Sequence, residues 1–141
     1  MKSIELKEVC VLVVDDDHDT REILQLVLER SGAIVTSVDS VSRALEVYAS
    51  ARPKIIVADI GMPDYNGFAL IARIREEDAK SGRVTPAIAL TAFTSPGDKE
   101  LALSAGFQAY MAKPFHPKDL ISLIAKLAGP TGSTGIKGRA A

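Results

Sequence analysis

Four side chains in this 141-residue chain stand where short apolar runs end. Asp15 and Asp16 follow Val11-Leu12-Val13-Val14, and Asp59 follows Ile55-Ile56-Val57-Ala58. Lys113, just before a proline, follows Ala109-Tyr110-Met111-Ala112. If the runs are strands of one parallel sheet, all four gather at its carboxyl edge, where open α/β folds place their ligands. Three carboxylates and one ammonium in a crevice make a site for a divalent metal and a phosphoryl group. One carboxylate is left free to react, which is the chemistry of an aspartate that accepts a phosphoryl group.

Each part of that chemistry has a residue. Asp15, Asp16 and Asp59 repel one another as anions, and without a cation one would be pushed toward protonation. Oxygen-only ligands favour Mg²⁺ over zinc. The two histidines, His18 and His116, each sit at a helix start and read as surface residues. Asp59 is the candidate nucleophile, since a carboxylate can attack phosphorus and form an acyl phosphate. Lys113 supplies a cation for the phosphoryl oxygens. Thr91, at the end of Ala87-Ile88-Ala89-Leu90, supplies a hydroxyl, and the small Ala92 leaves room. The segment from Ile60 to Gly67 is a loop that can wrap the site.

Asp17 and Asp19 read as residues that complement the dipole of a helix start. An EF-hand starting at Asp15 needs Gly sixth and Glu twelfth, where this chain has Thr20 and Leu26. The phosphatase pattern Asp-x-Asp-x-Thr/Val fails as well. Begun at Asp15 it meets Asp19 at its fifth place, and begun at Asp17 it meets Arg21.

The elements that must position these residues are legible in hydrophobic patterning. Short apolar runs at 10–14, 33–38, 54–58, 86–90 and 109–112 predict strands. Those at 11–14, 55–58 and 87–90 are continuous, as strands buried on both faces read. Helical stripes lie between them: Ile23, Leu24, Val27 and Leu28; Val41, Ala44, Leu45, Tyr48 and Ala49; Phe68, Ile71 and Ala72; Leu120, Leu123, Ile124 and Leu127. Ser95-Pro96, with Asp98, and His116-Pro117 start helices. Gly32 and Gly106 suit helix C-termini. Pro53 and Pro86 suit strand entrances. Five strands alternating with five helices predict a three-layer α/β sandwich around a parallel sheet. Composition agrees. The length suits one domain, 47% hydrophobic residues exclude a wholly disordered chain, and a net charge of −1 gives no basic field for nucleic acid. The single cysteine, Cys10, opens a strand and reads as a buried inert thiol. No apolar stretch approaches the ~18 residues of a membrane span, and the charged start lacks a signal-peptide core. A cytoplasmic domain is expected. From Gly129 the chain turns rich in Gly, Ser and Thr, so 129–141 is expected to be a flexible tail or linker.

Val-Asp-Asp-Asp at 14–17, Asp-Ile-Gly-Met-Pro at 59–63, Leu-Thr-Ala at 90–92 and Lys-Pro-Phe at 113–115, in this order and at strand ends, resemble a response-regulator receiver domain over residues 8–128. The stretches around Thr91 and Lys113 also resemble receivers of hybrid histidine kinases. The resemblance implies a doubly wound (βα)5 flavodoxin-like sandwich with strand order 2-1-3-4-5. It implies a switch rather than a dedicated enzyme, phosphorylated on Asp59 by a histidine kinase or histidine phosphotransfer domain. It implies Mg²⁺ held by Asp16, Asp59 and the Gly61 carbonyl, with Asp15 acting through water. Thr91 and Lys113 would hold the phosphoryl oxygens, Tyr110 would be the switch aromatic, and Lys113–Pro114 would be cis. Gly61 and Phe93 would tune hydrolysis, and the face of the fourth helix, fifth strand and fifth helix would meet an unknown downstream partner. Rival readings are a hydrolase using Asp59, for which no general acid is in place, and a phosphorylation-independent interaction module.

Overall fold

The structure, a computed structural model, describes residues 5–60, 67–92 and 96–128, the Pro96 and Asp98 side chains apart. Strands and helices alternate: β1 (Cys10–Val14), α1 (His18–Arg30), β2 (Ile34–Val38), α2 (Val41–Ala51), β3 (Ile55–Asp59), α3 (Gly67–Ser81), β4 (Ala87–Thr91), α4 (Pro96–Ala105), β5 (Ala109–Ala112) and α5 (Pro117–Ala128). The sheet is parallel, in the order β2-β1-β3-β4-β5. This is the expected doubly wound, flavodoxin-like arrangement, with strand limits shifted by one residue from several of the expected runs.

Alternation along the strands sorts the core into two layers. Leu12, Val14, Ile56, Ala58, Ala87 and Ala89 face one way and pack with Ala44 and Tyr48 of α2, Leu70, Ile71 and Ile74 of α3, and Ala102 of α4. Val11, Val13, Ile55, Val57, Ile88 and Leu90 face the other way, against Leu24 and Leu28 of α1 and Leu120 and Ile124 of α5. The three continuous apolar runs are thus the three central strands, covered on both faces. β2 and β5 are edges and only partly buried.

The helical stripes are narrower than the apolar pattern. Ile23 is 53% exposed, and Ala49 and Ala72 are exposed, because each lies at the margin of its stripe and only its inner neighbours reach the sheet. Cys10, expected to be buried, is half-buried at the start of β1. The charged N-terminal segment contributes to the core. Leu6 is fully buried, its N–H donates to the Ser31 carbonyl at 2.8 Å, and the Glu8 N–H donates to the Gly32 carbonyl at 3.0 Å. Gly32 closes α1 with φ +97°, and a Cβ there would come within 2.9 Å of the Lys7 backbone.

At the amino edge of the sheet lies a polar cluster that the stripes concealed. The Tyr48 hydroxyl donates to the buried Asp78 carboxylate and lies 2.7 Å from the Thr85 hydroxyl. Arg75 uses all five of its N–H donors, on Asp78, the Thr85 and Gly106 carbonyls and the Gln108 side chain, at 2.7–3.1 Å. One guanidinium therefore joins α3, the entrance to β4, the end of α4 and the entrance to β5.

Candidate functional site

The strand register sets the site. Val14 stands opposite Ala58, so Asp15 and Asp59 leave their strands side by side. Asp59 pairs with Leu90, and Thr91 pairs with Ala112, which puts Lys113 one step beyond. The Lys113 N–H donates to the Thr91 carbonyl at 2.8 Å, carrying the ladder past the end of β5.

Asp15 is 1% exposed and gripped from several sides. Its N–H donates to the Val38 carbonyl at 3.1 Å, its Oδ1 accepts from the Asp17 N–H at 2.9 Å, and its Oδ2 accepts from Lys113 Nζ at 2.8 Å. Lys113 Nζ also donates to Asp59 Oδ2 at 3.4 Å. Burial works against the Lys113 charge, but the Asp15 hydrogen bond and the charges of Asp15 and Asp59 outweigh it and hold its pKa above the ordinary value. Asp17 caps α1. Its Oδ2 accepts from the Thr20 N–H at 3.0 Å and from the Thr20 hydroxyl at 2.5 Å, and chiefly through these two bonds its carboxyl lies below the ordinary range.

Asp15, Asp16 and Asp59 each bring a carboxylate oxygen to within 4.8 Å of the others. Asp15 is buried, Asp59 partly buried and Asp16 exposed, so the cluster opens to solvent on the Asp16 side. The donor set is all oxygen, with one ammonium beside it, and suits a hard divalent cation such as Mg²⁺. His18, paired with Glu22 Oε1 at 2.6 Å, and His116 are exposed and outside the cluster. Thr91 is fully buried at the end of β4, Ala92 beside it is exposed, and Tyr110 is half-buried against the layer beneath α2–α4. Lys113–Pro114 is cis, as expected. A cleft of about 430 Å³ flanks the crevice, its apolar wall including Ile23, Pro114, Phe115 and Pro117. Gly61, Phe93, Ser95 and residues 129–141 lie outside the described residues, and with them the expected carbonyl ligand, one helix cap, both hydrolysis-tuning positions and the tail. Among the described residues no helix is long and apolar enough to cross a membrane.

One contact at the site went unread in the sequence. Arg21 donates from Nη1 to the Asp15 carbonyl at 2.8 Å. The spacing of Asp17 and Arg21, four apart on a helix, signals an ordinary surface pair instead.

Comparison with known proteins agrees with this architecture. Residues 11–125 match the family model described as the response regulator receiver domain. An uncharacterized 14.6 kDa protein from the sodA1 3′ region of Leptolyngbya boryana is 44% identical over 119 residues, which are 84% of this chain and 89% of that protein. The receiver domain of the Francisella response regulator 1452 superposes with a TM-score of 0.78 at 30% identity, covering 86% of this chain and 97% of that one. The receiver domain of the Saccharomyces cerevisiae response regulator Ssk1, solved in a co-crystal with the histidine phosphotransfer protein Ypd1, has a TM-score of 0.80 at 23% identity, covering 86% and 90%, and so shares the fold. Of several longer transcriptional regulators that it matches, this chain spans about half the length, 44–52%. With its parallel sheet, its acidic crevice and a family match across nearly all ten elements, the chain belongs to the response regulator receiver domains of two-component signalling.

Proposed function

We propose that this domain, taken as residues 8–128, is a phospho-accepting switch of a cytoplasmic phosphorelay and that Asp59 is its acceptor. The observation that carries this reading is the crevice itself. Three carboxylate oxygens lie within 4.8 Å of one another, and a lysine ammonium stands 2.8 Å from one carboxylate and 3.4 Å from another. Asp59 is the member at the end of a central strand, and it is partly exposed where Asp15 is buried. The donor would be a phosphohistidine on a histidine kinase or phosphotransfer domain. As an Asp59 oxygen attacks, the P–N bond breaks, its electron pair stays on the imidazole, and the imidazole takes up a proton. Asp16 and Asp59 would hold Mg²⁺, with the Gly61 carbonyl, and Asp15 would act through water. When bound, Mg²⁺ would supply Lewis-acid neutralisation of the phosphoryl oxygens.

Lys113 would pair with the new group, which carries about −1.5 to −2 charges in place of the single charge of the Asp59 carboxylate. Thr91 would turn its hydroxyl to the same group and Tyr110 would move inward. The face formed by α4, β5 and α5 would then change its affinity for a downstream protein. Gly61 and Phe93, unable to orient water or act as a base, would leave self-hydrolysis slow. Catalysis is thus confined to the domain's own phosphorylation and dephosphorylation. Labelling with acetyl phosphate and Mg²⁺ tests the reading. Stable label on Asp59, absent from Asp59→Asn, is expected. Unchanged labelling of Asp59→Asn removes Asp59 as the acceptor, and multiple turnover of organic phosphates would make the protein a hydrolase.

A further inference from the structure

The crevice has a second cation at its margin, and this one grips the backbone. Arg21 Nη1 donates to the Asp15 carbonyl at 2.8 Å. With that bond, every polar atom of Asp15 has a partner: N–H on Val38, Oδ1 from Asp17, Oδ2 from Lys113 and the carbonyl from Arg21. The Asp15 carbonyl belongs to the peptide plane that ends at the Asp16 Cα. Fixing that carbonyl therefore fixes where Asp16 starts and which way its side chain leaves the chain. Asp16 is itself exposed, so its aim depends on its backbone.

We propose that Arg21 is a positioning residue for the divalent-cation site, acting on Asp16 through the Asp15–Asp16 peptide. The inference rests on the metal reading above and goes beyond it by assigning a role to a residue that touches neither metal nor phosphoryl group. Geometry and charge make opposite demands here. As a bare positive charge beside three carboxylates, Arg21 would compete with a cation, and its removal would tighten binding. As a brace for the peptide, its removal loosens Asp16 and weakens binding.

The experiment is a calorimetric titration of the full chain with Mg²⁺, using the parent, Arg21→Met and Arg21→Lys, at a temperature where thermal unfolding shows each to be folded. Arg21→Met is expected to bind about tenfold more weakly, the usual scale for losing a group that orients a metal ligand. Arg21→Lys keeps the charge but not the planar fork, and is expected to fall between the two. The acetyl phosphate labelling rate of both variants should return toward that of the parent at saturating Mg²⁺. Equal or tighter binding by Arg21→Met, or an Arg21→Lys indistinguishable from the parent, overturns the positioning role. If Arg21→Met does not fold, the Arg21→Lys comparison decides alone. A parent protein that binds no Mg²⁺ overturns the metal reading, and the positioning role falls with it.

Discussion

Lys113 and Asp15 hold each other at 2.8 Å, yet they stand in different relations to the site. Lys113 is surrounded by negative charge, and its removal leaves an excess. Lys113→Ala is therefore expected to fold and to bind Mg²⁺ at least as tightly as the parent, while losing the phosphorylation-dependent change in conformation; titration and amide exchange with and without acetyl phosphate check both. Asp16 is exposed and Asp15 is not. Asp16→Ala should thus cut Mg²⁺ affinity severely at little cost in stability. Asp15→Ala should cut affinity less but lower the unfolding midpoint, since it strips the Asp17 N–H of its side-chain acceptor and Lys113 of the nearer of its two carboxylates. The raised pKa of Lys113 has its own signature in the metal-free protein. A group whose pKa is higher folded than unfolded contributes stability below its unfolded value, near 10.5, and loses it as pH rises through the folded value. Urea unfolding from pH 9 to pH 12 should show an alkaline loss in the parent that is smaller in Lys113→Met.

At the scale of elements, the Arg75 cluster is where a single change is expected to do most damage to the fold. The Arg75 and Asp78 side chains are 21% and 3% exposed and paired at 2.7 Å. Arg75→Met leaves a buried carboxylate with one hydroxyl and one N–H, and frees the Gly106 carbonyl at the end of α4. Breaking such a pair costs about 3 kcal/mol, readable as a lower urea midpoint with the acidic crevice intact. This cluster also marks the limit of what the sequence told. The ten elements were legible because short apolar runs, 3.6-residue stripes and helix-start residues are local signals. The site was legible because apolar strands ending in Asp or Lys point to one edge. Tyr48 could be read only as a core aromatic, since its partners Asp78 and Thr85 are 30 and 37 positions away and no periodicity links them. Ile23, Ala49 and Ala72 fall within the apolar stripes yet are exposed, because a stripe gives a direction but not its width. The Arg21 contact was hidden for a related reason, because its acceptor is a backbone oxygen, present at every residue.

For the whole molecule, the clustered carboxylates of Asp15, Asp16 and Asp59 repel one another, Lys113 offsets part of that repulsion, and a bound Mg²⁺ would offset more. A ligand that binds only the folded state stabilises it by about 2.7 kcal/mol at a hundredfold excess over its Kd. Calorimetry should accordingly show Mg²⁺ raising the unfolding temperature of the parent, with most of the rise lost in Asp16→Ala. An equal rise in both would place the effect elsewhere on the surface.

The path of the chain through its first and last elements has one more consequence. Each strand runs toward the acidic crevice and each helix runs back. The polypeptide enters β1 at the far edge, with Leu6 seated beneath the sheet, and α5 returns it there at the buried Ala128. Both ends of the fold therefore leave from the side opposite the chemistry. Such a module can be spliced ahead of, behind or between other folded units without a linker crossing its working mouth. A polypeptide that continues from either end of the described fold thus starts on the side away from Asp59.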